Sequence, residues 1–584
     1  MDSKSKVNAW NEKGEIAPNA PKWALYRQVM TNEFPLPVKG PDRLKEVVIK
    51  GMDLLNDLKN GPDGPVFLGK DSKLQFQYPE VKNQKIAQKG MPIDDVIKEV
   101  VHMFEGGPNW GHPLTMENVL PNGNTAGIAA SMLSQIYAPN IMEGEYGQNA
   151  HRAELETAGM IASLIGWDPT LCGGIFTWGG SGCWTYGVKY GLTRCRPDSR
   201  WTGMHGDMKV ICSEQAHYVQ QNSTDWLGIG MDNLIRIPCD RVTNGMDLEA
   251  LDSKMKELHE KGIPVAVVVS TMGTTDASAF DDPAKIREII DKYPNPKGHG
   301  DPLLYCDCVV GWSWLSFKEY DFSNNPLEFS KAVLNIIKHN TNLYKGIIHA
   351  DAVGIDFHKV GWCPYVSSMF LYKDAEVFEK ILVRGKDSYL QVRTPYNPMY
   401  YTLEVSRTVN GAMAAWATLK YLGLEGLQAI VGGIEEVKYV IYDLVEQRSD
   451  MCVANEGDSG FITLIRVYPP DVDAKQMYEN ELNNPEYRQY VMKYNRLNEA
   501  IGNKLYAWYR EAHRINGICT PYMSFSTGFR TTNYNREEND PDAVIFAIKS
   551  FPMTVFCTPD VMKHTLDCVA AARDEVLKEW GEIK

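Results

Sequence analysis

The sequence predicts an α/β fold with a mostly parallel central sheet and a smaller C-terminal α/β unit. Three observations carry that expectation. Between about residue 125 and about residue 375, short apolar runs alternate with stretches whose apolar residues recur at helical spacing. Most of these runs are rich in β-branched residues and several are bounded by Gly or Pro, which suits strands covered on both faces. The chain, at 584 residues, exceeds the size at which one core stops growing, so two or more units are expected.

In order along the chain, residues 1–120 are polar at first and rich in Pro, Lys and Asn, with one amphipathic stretch, RLKEVVIKGMDLLNDLKN. They read as an arm or cap. Residues 121–410 form the expected large domain. Its helices are AGIAASMLSQIYA, RAELETAGMIASLIGW and DPAKIREIIDKY, and its strands GGIFTW, MKVICS, NLIRIP, VAVVVST and PLLYCDC. Residues 411–584 form the small C-terminal domain, opening with a long helical pattern, continuing through GFITLIRVYP and closing on DVMKHTLDCVAAARDEVLKEW.

The net charge of −14 argues against nucleic acid or an anionic membrane as the main partner. No apolar core follows the N-terminal lysines, so a secretory signal is not expected, and no run of about 18 apolar residues predicts a membrane span. The 12 cysteines include no CxxC pair, so no metal site is expected. Reduced thiols in a cytoplasmic protein are the expectation.

Four loops, each following a strand, hold residues suited to chemistry. TWGGSGCWT (177–185) is a Gly-rich turn entering a helix, where backbone amides can cradle a phosphate or simply make a tight turn. TMGTTDASAFDD (271–282) delivers a cluster of hydroxyls. Asp307 ends the strand LLYCDC, where a buried carboxylate calls for a partner. DFHK (356–359) carries Lys359, an amine that becomes a nucleophile when its site lowers its pKa. Together they offer a phosphate cradle, an anion for a protonated ring nitrogen and an amine for an aldehyde, although each residue alone also has a structural reading.

These motifs resemble the group II pyridoxal-phosphate decarboxylases, which include aromatic amino acid, glutamate and bacterial tyrosine decarboxylases. The likeness runs from about Trp110 to about Gly423 and more loosely beyond. It implies an aspartate aminotransferase-like fold (pyridoxal-phosphate fold type I), pyridoxal 5'-phosphate as cofactor and a homodimer. ADAVGIDFHKVGWCPY resembles the family's lysine signature, implying Lys359 as the cofactor's anchor with His358 beside it. YCDCVVGW implies Asp307 at the pyridine nitrogen, and SEQAHYVQQNS implies His217 stacked on the ring. The remaining loops imply Thr275 near ring and phosphate, and Gly180 and Ser181 in the cradle. WGHP is similar to the family's His-Pro segment, so Trp110, His112, Met116 and Leu120 are expected to line the substrate pocket.

The resemblance also implies a reaction. In related aromatic decarboxylases a loop tyrosine about thirty positions after the lysine protonates the product carbon, and Tyr389 stands thirty after Lys359 (389 − 359 = 30). Relatives that release aldehydes carry Phe there. Decarboxylation of an L-amino acid, aromatic first, is therefore the expected activity, with an aldehyde-forming decarboxylase, a lyase or an acidic or unusual substrate as alternatives. Met553 falls where animal glutamate decarboxylases carry an Arg, which favours an uncharged side chain. The chain departs from the family in two further places. SGCWT replaces the usual polar triplet of the phosphate loop, so Trp184 is expected to reach towards the pocket or a neighbouring subunit. A helical insertion, SNNPLEFSKAVLNIIKHNTNLYK, lies between Asp307 and Lys359.

Overall fold

The β-branched runs lie side by side because helices cover both faces of the sheet they form, so a strand such as VAVVVST can be buried at every position. The computed structural model describes residues 16–17, 20–31, 33–35, 37–40, 42–73, 77–204, 208–384, 394–456, 460–536 and 539–581. In chain order the strands are β1 (Thr115–Met116), β2 (Gly173–Thr177), β3 (Lys209–Ser213), β4 (Leu234–Ile237), β5 (Val265–Thr271), β6 (Leu303–Asp307), β7 (Ala352–Asp356) and β8 (Ser368–Tyr372). They continue with β9 (Met451–Val453), β10 (Thr463–Val467), β11 (Arg514–Ile515), β12 (Ile518–Cys519), β13 (Tyr522–Thr531) and β14 (Val544–Ser550).

Seven strands form one sheet in the order β2-β8-β7-β6-β5-β3-β4. The pairings among β7, β6, β5, β3 and β4 are parallel, and β8 runs antiparallel to both its neighbours. The register aligns Thr271 with Asp307, and Asp307 with Gly354, so three strands deliver their C-terminal residues to one edge. Ligands in open α/β sheets gather at such edges. The helix Gly180–Cys195 lies close on this sheet: a Cβ at Gly191 would stand 2.1 Å from Val267 Cγ2. That close approach brings the helix's N-terminus to the strand ends.

The insertion forms the helix Lys331–Tyr344, capped by the Ser330 hydroxyl accepting from the Val333 amide. Its last residue, Tyr344, is fully buried and donates its hydroxyl to the Met272 carbonyl, which ties the insertion to the loop after β5.

The C-terminal sheet has the order β1-β13-β14-β10-β9 and is backed by the helices Arg488–Arg510 and Pro559–Glu579. The helix Asn410–Glu446, interrupted at Gly423, packs on the helix Thr125–Tyr137 with its first part and reaches the C-terminal core with its last. The chain divides into two compact units, residues 1–61 with 67–109, and residues 62–66 with 110–584. The smaller unit ends at 109, and β1, which pairs in parallel with β13, belongs to the larger one. Residues 121–410 and 411–584 both fall within that larger unit. Within the smaller unit the helices Arg43–Asp57 and Ile93–His102 pack together. Among the described residues no helix is long and apolar enough to cross a membrane.

Candidate active site

Lys359 stands three residues beyond the end of β7, in the turn between β7 and β8. Its ammonium lies 3.0 Å from Asp356 Oδ2, at the last position of β7. Asp356 is buried, and its other oxygen accepts a 2.6 Å hydrogen bond from the Ser368 hydroxyl across the β7–β8 pair. Burial works against the charge of Lys359, but the carboxylates of Asp356 and Asp307 outweigh it and hold the amine above its usual range. Sequence reasoning quoted the DFHK run without singling out Asp356. Nothing in the strand pattern distinguishes it until the pairing with Ser368 is known.

Asp307 ends β6, buried, with Oδ2 accepting a 2.5 Å hydrogen bond from Trp184 Nε1. Burial pushes its carboxyl up to about 6, while the indole hydrogen bond and the Lys359 ammonium pull the other way. His217 follows β3 by four residues, and its Nδ1 accepts from the Val219 amide at 3.1 Å. Burial and the nearby Lys359 ammonium take this imidazole down to about 4, so it is neutral at physiological pH. Lys359, Asp307 and His217 thus share one electrostatic neighbourhood.

Gly180 begins the helix Gly180–Cys195, which has no side-chain N-cap. The Gly182 amide donates to the Gly179 carbonyl at 2.8 Å, which leaves the Gly180 and Ser181 amides at the helix start to face an anion, and Ser181 is exposed there. A Cβ at Gly180 would stand 3.1 Å from Asp356 Oδ2 and 3.3 Å from Val309 Cγ1, so the turn lies directly over the lysine's partner. His358 is buried; its Nδ1 accepts from the Ser367 amide at 3.2 Å and its Nε2 is 3.5 Å from Asp356. Its contacts fasten the lysine's turn.

Thr275 and His217 line a cavity of about 670 Å³ that extends past Arg236 and Asp276 to Thr531 and Asn535. The Thr275 carbonyl accepts from Lys549 Nζ at 2.7 Å, and the Ser526 hydroxyl donates to Asp276 at 2.9 Å. Lys549 is buried and acts electrostatically on Glu117, whose carboxyl burial raises. No motif announced this cluster, which joins residues more than 270 positions apart in the chain (549 − 275 = 274).

The expected pocket residues do not gather in one wall. Met116 is fully buried in the C-terminal core with Ile465 and Ile548 because it belongs to β1, so it packs in that core and does not line the cavity. Trp110 lies beside the Tyr522 ring at 6.1 Å, and His112 is buried with Nδ1 accepting from the Leu114 amide at 3.3 Å. Leu120 is partly buried, and the segment just beyond it packs on the lysine's loop, with the Asn124 amide donating to the Trp362 carbonyl at 2.6 Å. Met553 is buried, and its carbonyl accepts from Trp362 Nε1 at 3.1 Å. Tyr389 lies outside the described residues.

The arrangement suits pyridoxal phosphate on its donor chemistry. Among the described residues, the buried Asp307 carboxylate takes hydrogen bonds from an indole N–H and a backbone amide 3.4 Å away, and suits a further cationic N–H. The partly buried Lys359 amine stands near it, and the helix start at Gly180 has no side-chain cap. Residues 77–304 match the pyridoxal-dependent decarboxylase conserved domain, a stretch that ends three residues before Asp307. L-2,4-diaminobutyrate decarboxylase of Acinetobacter baumannii is 28% identical over 222 residues, covering 38% of this chain and 38% of that protein. Aspartate 1-decarboxylase of Aliivibrio fischeri is 25% identical over 267 residues, covering 46% of this chain and 43% of that protein. The chain thus spans less than half the length of these curated relatives. Tryptophan decarboxylase of Catharanthus roseus, solved with L-tryptophan, shares the fold with a TM-score of 0.67 at 15% identity, over 92% of this chain and 100% of that one. The architecture is that of pyridoxal-phosphate fold type I. Residues 77–304 thus carry the pyridoxal-dependent decarboxylase domain, and the chain is similar to amino acid decarboxylases in sequence and to pyridoxal-phosphate decarboxylases in fold.

Proposed function

We propose that this protein decarboxylates an L-amino acid to the corresponding amine and carbon dioxide, with Lys359 as the cofactor's anchor. The observation that carries the reading is the pairing of a partly buried amine and a buried carboxylate, Lys359 and Asp307, at adjacent strand ends near a helix start with no side-chain N-cap. Pyridoxal phosphate, when bound, supplies an electron sink for the pair released as carbon dioxide departs. Gly180 and Ser181 would hold its phosphate, Asp307 its ring nitrogen and His217 its ring face, with Thr275 alongside.

The chain's own groups supply the rest. Asp307 presents a fixed negative charge where positive charge must be kept, which is electrostatic preorganisation. His217, neutral in this site, can stack on a cationic ring without repelling it. Lys359 must give up a proton before its amine can attack, and Asp356, 3.0 Å away, holds its ammonium in place until then. Tyr389 is the proton donor to the product carbon in this reading, which separates an amine-forming enzyme from an aldehyde-forming one. Tyr389→Phe should divert product from amine to aldehyde and ammonia; an unchanged amine yield would rule Tyr389 out.

An aromatic side chain is the first substrate choice, supported by the uncharged Met553 beside Trp362. A second reading, a side chain bearing an amine, is favoured by Glu214, Asp276 and Asp540 in the cavity wall and by the diaminobutyrate decarboxylase relative. The test is incubation of the cofactor-loaded protein with each common L-amino acid and L-2,4-diaminobutyrate, with products identified by mass spectrometry. An aromatic amine with equimolar carbon dioxide supports the first choice; a diamine product replaces it with the second.

A homodimer in the cytoplasm completes the reading. Ile128, Met132, Leu133, Ile136 and Tyr137 form an exposed apolar face on the helix Thr125–Tyr137, the kind of surface a second copy covers. All 12 cysteines are free, which suits a reducing compartment. Light scattering of the purified protein should give twice the chain mass.

A further inference from the structure

We propose that Trp184 is a positioning residue for the cofactor: its indole N–H fixes Asp307 as a hydrogen-bond acceptor aimed at the ring nitrogen. The inference rests on the cofactor reading above. The helix Gly180–Cys195 places Trp184 one turn after its start, fully buried, with the indole against the Tyr305 ring at 5.9 Å and 78°. From there Nε1 reaches Asp307 Oδ2 at 2.5 Å, across 123 residues of sequence.

The chemistry of the donor makes this more than packing. An indole N–H can only donate, so it can never take a proton from the acid or accept one of its hydrogen bonds. It occupies one lone pair of Oδ2 and leaves Oδ1, which among the described residues accepts from the Val309 amide at 3.4 Å, available to a second donor. A buried carboxyl tends to stay protonated, since burial raises Asp307 to about 6. The indole opposes that tendency by stabilising the ionised form. The helix that supplies this donor also supplies the phosphate turn, through Gly180 and Ser181. Phosphate and ring nitrogen are thereby indexed to one rigid element.

Two variants separate the donor from its bulk. Trp184→Phe keeps an aromatic filler and loses the N–H; Trp184→Gln keeps an N–H donor and loses volume. The readouts are pyridoxal phosphate affinity of the unliganded protein, by absorbance titration, and the pH dependence of the bound cofactor's absorbance, with circular dichroism as the folding control. We expect Trp184→Phe to bind about tenfold or more weakly, as for a lost hydrogen bond to a charged group, and its absorbance transition to move to higher pH. Trp184→Gln should stay within about threefold of the parent. In an Asp307→Asn background the Phe substitution should cost nothing further. Equal affinity in parent and Phe variant, or a Phe variant that binds better than the Gln variant, overturns the proposal in favour of packing. Should the Phe variant not fold, the Gln variant decides: affinity within about threefold supports the donor role, and a loss of tenfold or more overturns it. A parent protein that binds no cofactor overturns the functional reading itself, an outcome distinct from any difference among the variants.

Discussion

Asp307→Asn removes an ionisable carboxyl that burial has raised from 3.8 to about 6. A folded-state value above the unfolded one means the folded protein holds that proton more tightly than the unfolded chain does. Ionising Asp307 at neutral pH therefore opposes folding. The gap is about two pH units, and at about 1.36 kcal/mol per unit the ionised carboxylate costs the unliganded protein about 3 kcal/mol at pH 7.5. Asparagine keeps the size and can still accept from Trp184 Nε1. The variant without cofactor should then be more stable than the parent by about 3 kcal/mol at pH 7.5. The advantage should shrink as pH falls through about 6 and vanish below about 3, where the parent's carboxyl is protonated in both states. Cofactor affinity should move the opposite way, at least tenfold weaker, because a neutral amide cannot neutralise a ring cation. Urea unfolding at several pH values gives the first quantity, and absorbance titration with pyridoxal phosphate the second. A variant less stable than the parent at pH 7.5, or an advantage that does not change with pH, would refute the assignment of Asp307 as a buried charge awaiting a partner.

Three further outcomes are expected. Asp356→Asn leaves the Lys359 ammonium without its counter-ion and should cost the unliganded protein about 2–3 kcal/mol near pH 7 by urea unfolding, somewhat under the usual price of a broken buried pair because Ser368 can still donate to the amide oxygen. Since Lys359 is held above its ordinary 10.5, the pair's contribution is complete below that pH and fades as pH rises through the folded value, so the two proteins should converge in strong alkali. The His217 imidazole should titrate near pH 4 in the unliganded protein by histidine NMR, and a midpoint near the ordinary 6.5 would contradict its burial beside Lys359. Gly182→Ala puts a methyl 2.4 Å from Thr177 Oγ1 at the phosphate turn; it should lower stability by about 1–3 kcal/mol, outweighing the helix-propensity gain of about 1 kcal/mol, and should weaken cofactor binding.

Much of the large sheet was legible because its strands are continuous apolar runs: VAVVVST and LLYCD form β5 and β6 where the pattern puts them. The insertion's helix was legible too, for its apolar residues follow helical spacing. The strand-end positions of Lys359, Asp307 and His217 were legible because each stands at or just beyond a recognisable strand within a motif. What escaped is non-local. Asp356 gains its meaning only through Ser368 on the neighbouring strand, and the clamp of Lys549 on Thr275 bridges distant segments. Met116 was read as a pocket residue because a two-residue strand leaves no periodic trace, and only its pairing with Met523 reveals it as core. Trp184 stood out as unusual in sequence, but its partner, 123 residues away, did not.

The most direct test of the account is to locate the covalent cofactor. The protein loaded with pyridoxal phosphate would be reduced with borohydride, digested and mapped by mass spectrometry, with Lys359→Ala as control. The account predicts a reduced pyridoxyl group on the peptide carrying Lys359 and none in the variant. The same label on another lysine, or no label in a protein that has bound the cofactor, would contradict it.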